Sequence, residues 1–248
     1  MKKILAAFVC AVSCWATCFA AHPLVSDDSG TQGKTGYQFE ANADATRHER
    51  DDAVSRSRLA SATLTYGVTD RMDFALTVPY LRLAPSDSPA SRGIGDMQLG
   101  VKWRFLEENG WSVAWKQHFI FPSGDQRRGL GNGRAGIGAG ILAAYQHDKL
   151  QWLVNAGYAY NGNAVGARSN LWNVSSAVLW QIKPTVKAVL DVGAYRNTDR
   201  NENRDPAFAI IGVIFSLTEK LDIDFGMRKG LNKAEMDYAA GAGVTLRW

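Results

Sequence analysis

The chain is patterned with a period of two over most of its length. In 237–248, Tyr238, Ala240, Ala242, Val244, Leu246 and Trp248 share one side, and Asp237, Ala239, Gly241, Gly243, Thr245 and Arg247 the other. Successive side chains of a strand point to opposite faces, so this segment has one apolar face and one small or polar face. An aromatic residue at its end fits the closing strand of a transmembrane β-barrel, where aromatic rings form a girdle at the membrane interface.

Alternation of this kind recurs in segments of about ten residues, the length of a tilted membrane-spanning strand. It predicts about twelve strands, over 35–43, 58–68, 72–82, 95–105, 111–121, 135–146, 149–160, 171–181, 184–195, 206–217, 220–229 and 237–248. No segment carries a helical period of 3.6. The connections alternate in length. Short turns fall at 69–71, 106–110, 146–149, 181–184 and 217–220, and longer polar stretches at 44–57, 83–94, 122–134, 161–170, 196–205 and 230–236. The predicted fold is therefore all-β: a single antiparallel transmembrane β-barrel with short periplasmic turns and longer external loops. An even strand count places both termini in the periplasm and pairs the last strand with the first near 37–41, which removes both sheet edges.

The two faces can be assigned. Met97, Leu99, Val101, Trp103 and Phe105 face lipid, as do Trp111, Val113, Trp115, Phe119 and Phe121 in the next strand. Trp172 and Trp180 share one face eight residues apart. That separation spans roughly 20 Å along a tilted strand, close to the height of the apolar belt. Trp103, Trp111, Trp152, Tyr160, Trp172, Trp180 and Trp248 form the expected interface girdle. The inward set comprises Asp96, Lys102, Arg104, Lys116, His118, Asp191, Asp222, Asp224 and Arg247, the candidate lumen lining. A soluble sandwich or lipocalin-like barrel would reverse these faces and bury the charged set without enough apolar filling.

Residues 1–20 read as a secretory signal, with Lys2 and Lys3 before an apolar run and cleavage after Ala20 or Ala21. All three cysteines, Cys10, Cys14 and Cys18, lie within it, so the mature chain has no disulfide. Residues 21–34 follow as a periplasmic N-terminal segment, and 35–248 as the barrel. Removing Lys2 and Lys3 leaves 26 basic against 24 acidic residues, a net charge of +2. The basic residues are scattered, which excludes a nucleic-acid partner. Outer-membrane lipid and, through the C-terminal strand, the barrel-assembly machinery are the expected partners, in the outer membrane of a Gram-negative bacterium. Neither cofactor nor metal is implied, and no Ser, His and acid can be placed on one rim, so the chain does not read as an enzyme.

The segments Gly67-Val-Thr-Asp-Arg-Met-Asp-Phe74 with Val78-Pro-Tyr80, Gly93-Ile-Gly-Asp-Met-Gln-Leu-Gly-Val-Lys-Trp-Arg-Phe105, and Phe121-Pro-Ser-Gly-Asp125 with Gly129-Leu-Gly131 resemble the outer-membrane proteins grouped as "MetA-pathway of phenol degradation". His22-Pro-Leu-Val-Ser-Asp-Asp28 resembles mature N-termini in related sequences. The likeness covers nearly the whole mature chain. It implies a porin-like barrel associated with uptake of aromatic compounds, and carries over no functional residues.

The candidate residues each admit two readings. Asp96 either attracts a cation or, the simpler account, accepts backbone N–H bonds at a strand start. Lys102, Arg104, Lys116 and His118 form either an anion-attracting wall or part of an internal salt-bridge lattice with Glu40, Asp73, Asp191, Asp222 and Asp224. The inward glycines serve strand curvature or leave room for a ligand, curvature being preferred. Pro79 calls for a bulge or a strand end. The stretch 122–134 folds inward as a constriction or lies in solvent. At the level of function, a channel for small solutes, hydrophobic or aromatic compounds among them, competes with a closed barrel that acts through loops such as 43–57 and 196–205.

Overall fold

A computed structural model describes residues 22–50, 53–86 and 88–248. The expected signal peptide and its cleavage site lie outside the described residues. Thirteen strands follow in order: β1 (Tyr37–Arg50), β2 (Ala53–Thr69), β3 (Met72–Ala84), β4 (Ser91–Ile94), β5 (Gln98–Glu108), β6 (Trp111–Ile120), β7 (Gly136–His147), β8 (Leu150–Tyr160), β9 (Asn170–Lys183), β10 (Val186–Tyr195), β11 (Ala207–Ser216), β12 (Leu221–Gly230) and β13 (Tyr238–Arg247). Twelve close into an antiparallel barrel, with β4 an extra strand beside the upper part of β3.

The seam is the pairing of β13 with β1, in register from Gln38 opposite Arg247 to Arg47 opposite Tyr238. At its lower end Tyr37 and Trp248 exchange backbone hydrogen bonds of 2.9 and 3.1 Å. Their rings stack at 5.5 Å with 7° between planes, and Tyr66 packs 4.8 Å from Tyr37. The terminal aromatic residue thus sits at the last rung of the ladder that leaves no open sheet edge.

The outer surface is apolar and exposed. Trp103, Trp111, Trp152, Tyr160, Trp180 and Trp248 all project from it, with Leu64, Leu76, Leu190 and Phe225 in the belt between. Trp172 is half-buried on the same side, opposite Tyr158. In water so much exposed hydrophobic surface would drive aggregation; against hydrocarbon it costs nothing.

Three local differences have physical causes. First, β1 and β2 take up most of the stretch 44–57 expected as a loop, β1 running to Arg50 and β2 starting at Ala53. Their upper outward positions carry Arg47, Arg56 and Arg58, so a continuous ladder loses its apolar signature there. Second, β3 changes partner partway up. It pairs with β5 only as far as Thr77 opposite Gln98, then with β4 from Tyr80 opposite Ile94. Pro79, which lacks an N–H, occupies the change of partner, where its carbonyl accepts the Gly95 N–H at 2.9 Å. Third, a bulge between Arg104 and Leu106 turns both Phe105 and Leu106 outward.

The segment expected to lie in the periplasm instead enters the lumen. Residues 22–32 run across the barrel interior, and Leu24 packs into a cluster of Ala144, Leu153, Ala177, Leu179, Val189 and Ile214. Charged inner walls and a polar N-terminal segment satisfy one another there, a complement that only the closed barrel brings together.

Deleting Leu246–Trp248 removes the Tyr37–Trp248 rung and the Leu246–Phe39 pair above it. The expected outcome is loss of the compact, heat-modifiable species in unboiled gels; normal assembly of the truncated chain would contradict this role of the seam.

Candidate functional site: the lumen and its plug

The inner wall poses an electrostatic problem at β5 and β6. Lys102 and Lys116 stand directly opposite each other in the ladder. Like charges in such positions destabilise a sheet. Asp27, from the N-terminal segment, resolves the conflict by bridging both. Its Oδ1 lies 3.1 Å from Lys102 Nζ and its Oδ2 2.5 Å from Lys116 Nζ. The chain around it is held as well: Asn155 Nδ2 donates to the Asp27 carbonyl at 3.0 Å, and Lys102 Nζ to that of Asp28 at 3.0 Å.

Across the lumen, Asp191 of β10 is fully buried. Its carboxylate accepts the backbone N–H groups of Val25 and Ser26, both at 2.7 Å. Ser26 Oγ donates to the same carboxylate at 2.8 Å and lies 2.8 Å from Ser175 Oγ. Nearer the periplasmic end, the Gln32 N–H reaches the Asp73 carboxylate at 3.0 Å, and Ser29 meets Ser112 at 2.5 Å.

The far end of the segment is pinned by His22, whose ring contacts Asp224 through Nδ1 and Asp44 through Nε2, the latter at 3.3 Å. Burial alone would lower its pKa, but the hydrogen bonds to Asp224 and then Asp44 outweigh it and hold His22 up at about 9. Next to it, Pro23 fills space left by two inward glycines. A Cβ on Gly226 would come within 2.3 Å of Pro23 Cβ, and one on Gly212 within 2.6 Å of Pro23 Cγ. These glycines make room for the protein's own chain, so close approach rather than strand curvature explains them.

The plug divides the lumen into two chambers. On the external side, a mainly apolar cavity of about 80 Å³ is lined by Leu142, Ala159, Leu171 and Phe208, with His118, Asn173, Tyr195 and Arg196 among its polar members. On the periplasmic side, a cavity of about 420 Å³ is lined by Gln38, Glu40, Asp73, Gly100 and Arg247. Asp27 and Lys116 border both. Their ion pair lies between the two.

The expected lumen residues therefore divide by task. Lys102, Lys116, Asp191 and Asp224 hold the plug. Arg247 pairs with Asp222 at 2.7 Å, and Arg104 with Glu107 at 3.2 Å, both toward the periplasmic rim. His118 faces the external chamber. Asp96 does not face the lumen; it is buried beneath the stretch 122–134, accepting the N–H groups of Gly124 at 3.0 Å and Asn132 at 2.7 Å. That stretch folds back over the point where β3 changes partner, with Leu130 buried against Gly93 and Gly95. The salt-bridge lattice is real but runs through the N-terminal segment: His22, Ser26 and Asp27 are the site residues the strand periodicity does not reveal. The inward Leu142, Leu153, Leu171 and Phe208 also escape it, although 207–215 is apolar on both faces and so signals a strand buried on both sides.

The family described as "Putative MetA-pathway of phenol degradation" matches residues 21–248. The chain belongs to this family. No curated protein matches it in sequence. Among solved structures, the COG4313 outer membrane channel from Pseudomonas putida F1 superposes with a TM-score of 0.75 at 12% identity, over 89% of this chain and 98% of that one. The KdgM porin gives 0.56 at 5% identity, over 84% and 98%. The toluene transporter TodX from P. putida gives 0.52 at 11% identity, over 86% and 88%. At these identities the shared property is the fold of outer-membrane barrels.

In this family member, Asp27→Ala removes the carboxylate that bridges the two facing lysines and leaves Asp28, 3.9 Å from Lys102, as a more distant one. Breaking a buried ion pair costs roughly 3–5 kcal/mol. The segment is expected to leave its seat while the barrel stays assembled, raising single-channel conductance several-fold in planar bilayers; unchanged conductance would contradict the partition. The His22 contact gives a pH dependence. Because its pKa in the folded chain is raised, the anchorage is fully present below the ordinary histidine value of about 6.5 and is lost as pH rises through about 9. Open probability should stay flat below neutral pH and climb in that alkaline window. His22→Gln should raise it throughout and abolish the transition.

Proposed function

We propose that the protein is an outer-membrane channel for small, predominantly apolar solutes, aromatic compounds among them, with its N-terminal segment as the plug. The observation that carries this reading is the pair of chambers in series. An apolar vestibule on the external side is separated from a polar exit on the periplasmic side by one ion pair on a displaceable segment. An apolar solute gains from desolvation on entering the first chamber and meets charge only at the exit, where release is favoured. The family description speaks of phenol degradation, and TodX is described as a toluene transporter, which supports the solute class. Residues 1–20 serve in this reading as the export signal, cleaved after Ala20 or Ala21, and β13 as the strand the assembly machinery recognises.

A closed barrel acting through its external surface is the competing reading, and the well-bonded plug speaks for it. Flux into vesicles separates the two. Reconstituted protein is expected to accelerate phenol or toluene entry, and Ala159→Trp, which fills the external chamber, to slow it about tenfold or more, as a pocket-blocking change in the transfer path would. No flux from either the wild type or Asp27→Ala would overturn the channel reading.

A further inference from the structure

The outer surface is apolar except in one sector, where it is strongly basic. Arg58 of β2 stands opposite Arg82 of β3, and Arg82 opposite Arg92 of β4, so three guanidinium-bearing residues form one row across three strands. In the next row up, Arg47 of β1 faces Arg56 of β2. Arg128 adds a further guanidinium, which donates to the Arg92 carbonyl at 2.9 Å. Arg56, Arg58, Arg82 and Arg92 are exposed. Among the described residues no carboxylate pairs with any of the four; Glu49 and Asp237 both serve Arg47.

Such a row is unfavourable by itself. Directly opposite side chains have Cβ atoms about 4.5–5.5 Å apart, and like charges there repel. Elsewhere the fold meets the same conflict, at Lys102 and Lys116, with a bridging carboxylate from its own chain. Among the described residues no carboxylate does this for the outer row, which leaves it open to an anion from outside.

The side on which the row lies identifies its source. The arginines share a face with Leu64, Leu76, Tyr80 and Ile94, all exposed apolar or aromatic groups of the lipid-facing surface. Immediately beneath them the belt is hollowed. Ala43, Ala45, Ala60, Ala240 and Ala242 floor an open groove of about 560 Å³, with Arg58, Arg82 and Tyr80 at its rim. In lower rows the same strands carry Phe39, Leu64, Leu76 and Leu246, so the groove is a local absence of bulk between a full apolar belt and a cationic rim.

We propose that this face of β1–β4 docks one phosphorylated, acylated glycolipid of the outer leaflet. Its phosphates sit on the Arg58–Arg82–Arg92 row, where guanidinium forks bind phosphate oxygens in pairs. One acyl chain lies in the alanine groove, where it fills the hollow and excludes water from the foot of the charged row. A soluble anion satisfies the row and leaves the groove empty; a lipid satisfies both.

The test is native mass spectrometry of the full-length mature barrel in detergent, titrated with diphosphoryl lipid A, its dephosphorylated form and inorganic pyrophosphate. One diphosphoryl molecule is expected per barrel. Arg58→Gln/Arg82→Gln/Arg92→Gln should weaken its binding at least tenfold, while Arg204→Gln, an external charge outside the sector, should leave it unchanged. Ala60→Trp, which fills the groove and spares the arginines, should weaken it as well. Heat-modifiability in unboiled gels confirms that each variant is folded. Equal binding of the dephosphorylated lipid, full competition by pyrophosphate, or unchanged binding by the folded triple variant would overturn the proposal.

Discussion

A backbone in hydrocarbon has no water to bond with, so every N–H and C=O must find a partner within the chain. The β13–β1 seam is where that requirement is met last. Every other neighbouring strand pair is joined through a nearby connection, whereas the seam joins residues about two hundred positions apart. The Tyr37–Trp248 stack and the backbone exchange beneath it hold the end of the ladder nearest the aqueous phase, where fraying would begin. Closure also decides the rest of the architecture, because once the ring is complete each strand has one face in lipid and one in a narrow interior.

That interior brings together groups that a flat sheet would keep in solvent. Lys102 and Lys116 become opposed charges, and Asp191 becomes a fully buried carboxylate. The N-terminal segment answers both: a carboxylate between the lysines, and two N–H groups with a hydroxyl for Asp191. Its seat is shaped by what the strands omit as well, since Gly212 and Gly226 leave the volume Pro23 occupies. The result is a lumen divided in series, apolar outside and polar inside, with Asp27 and Lys116 at the boundary. A partition built from an ion pair on a segment outside the strand ladder is well suited to opening, because its bonds can be exchanged for water without disturbing a strand.

The same principle of charge satisfaction explains the exterior. A membrane barrel holds a row of arginines with no carboxylate partner among the described residues where the surroundings supply anions, and the upper rim of the apolar belt faces phosphate-bearing headgroups. The alanine hollow beneath the row turns a general attraction into a site with shape.

Strand alternation and the ordered lengths of the connections were enough to determine the barrel, its strand count, the outward aromatic belt and the pairing of the last strand with the first. They work because lipid imposes one rule on every strand separately, and a local pattern records a local rule. Pro79 was readable only in part: neither a bulge nor a strand end falls there, but β3 changes partner at this residue without an N–H. Three things were decided only by the tertiary structure. The polar rows above the belt read as loop, because the ladder continues after the apolar signal stops. Asp96 reads as lumen lining, yet it is turned under the stretch 122–134 by partners some thirty residues away. Above all, His22, Ser26 and Asp27 lie in a segment with no strand periodicity, and their partners are scattered over β1, β5, β6, β8, β9, β10 and β12. No spacing along the chain encodes such a set; only closing the ring brings those walls to within reach of one short segment.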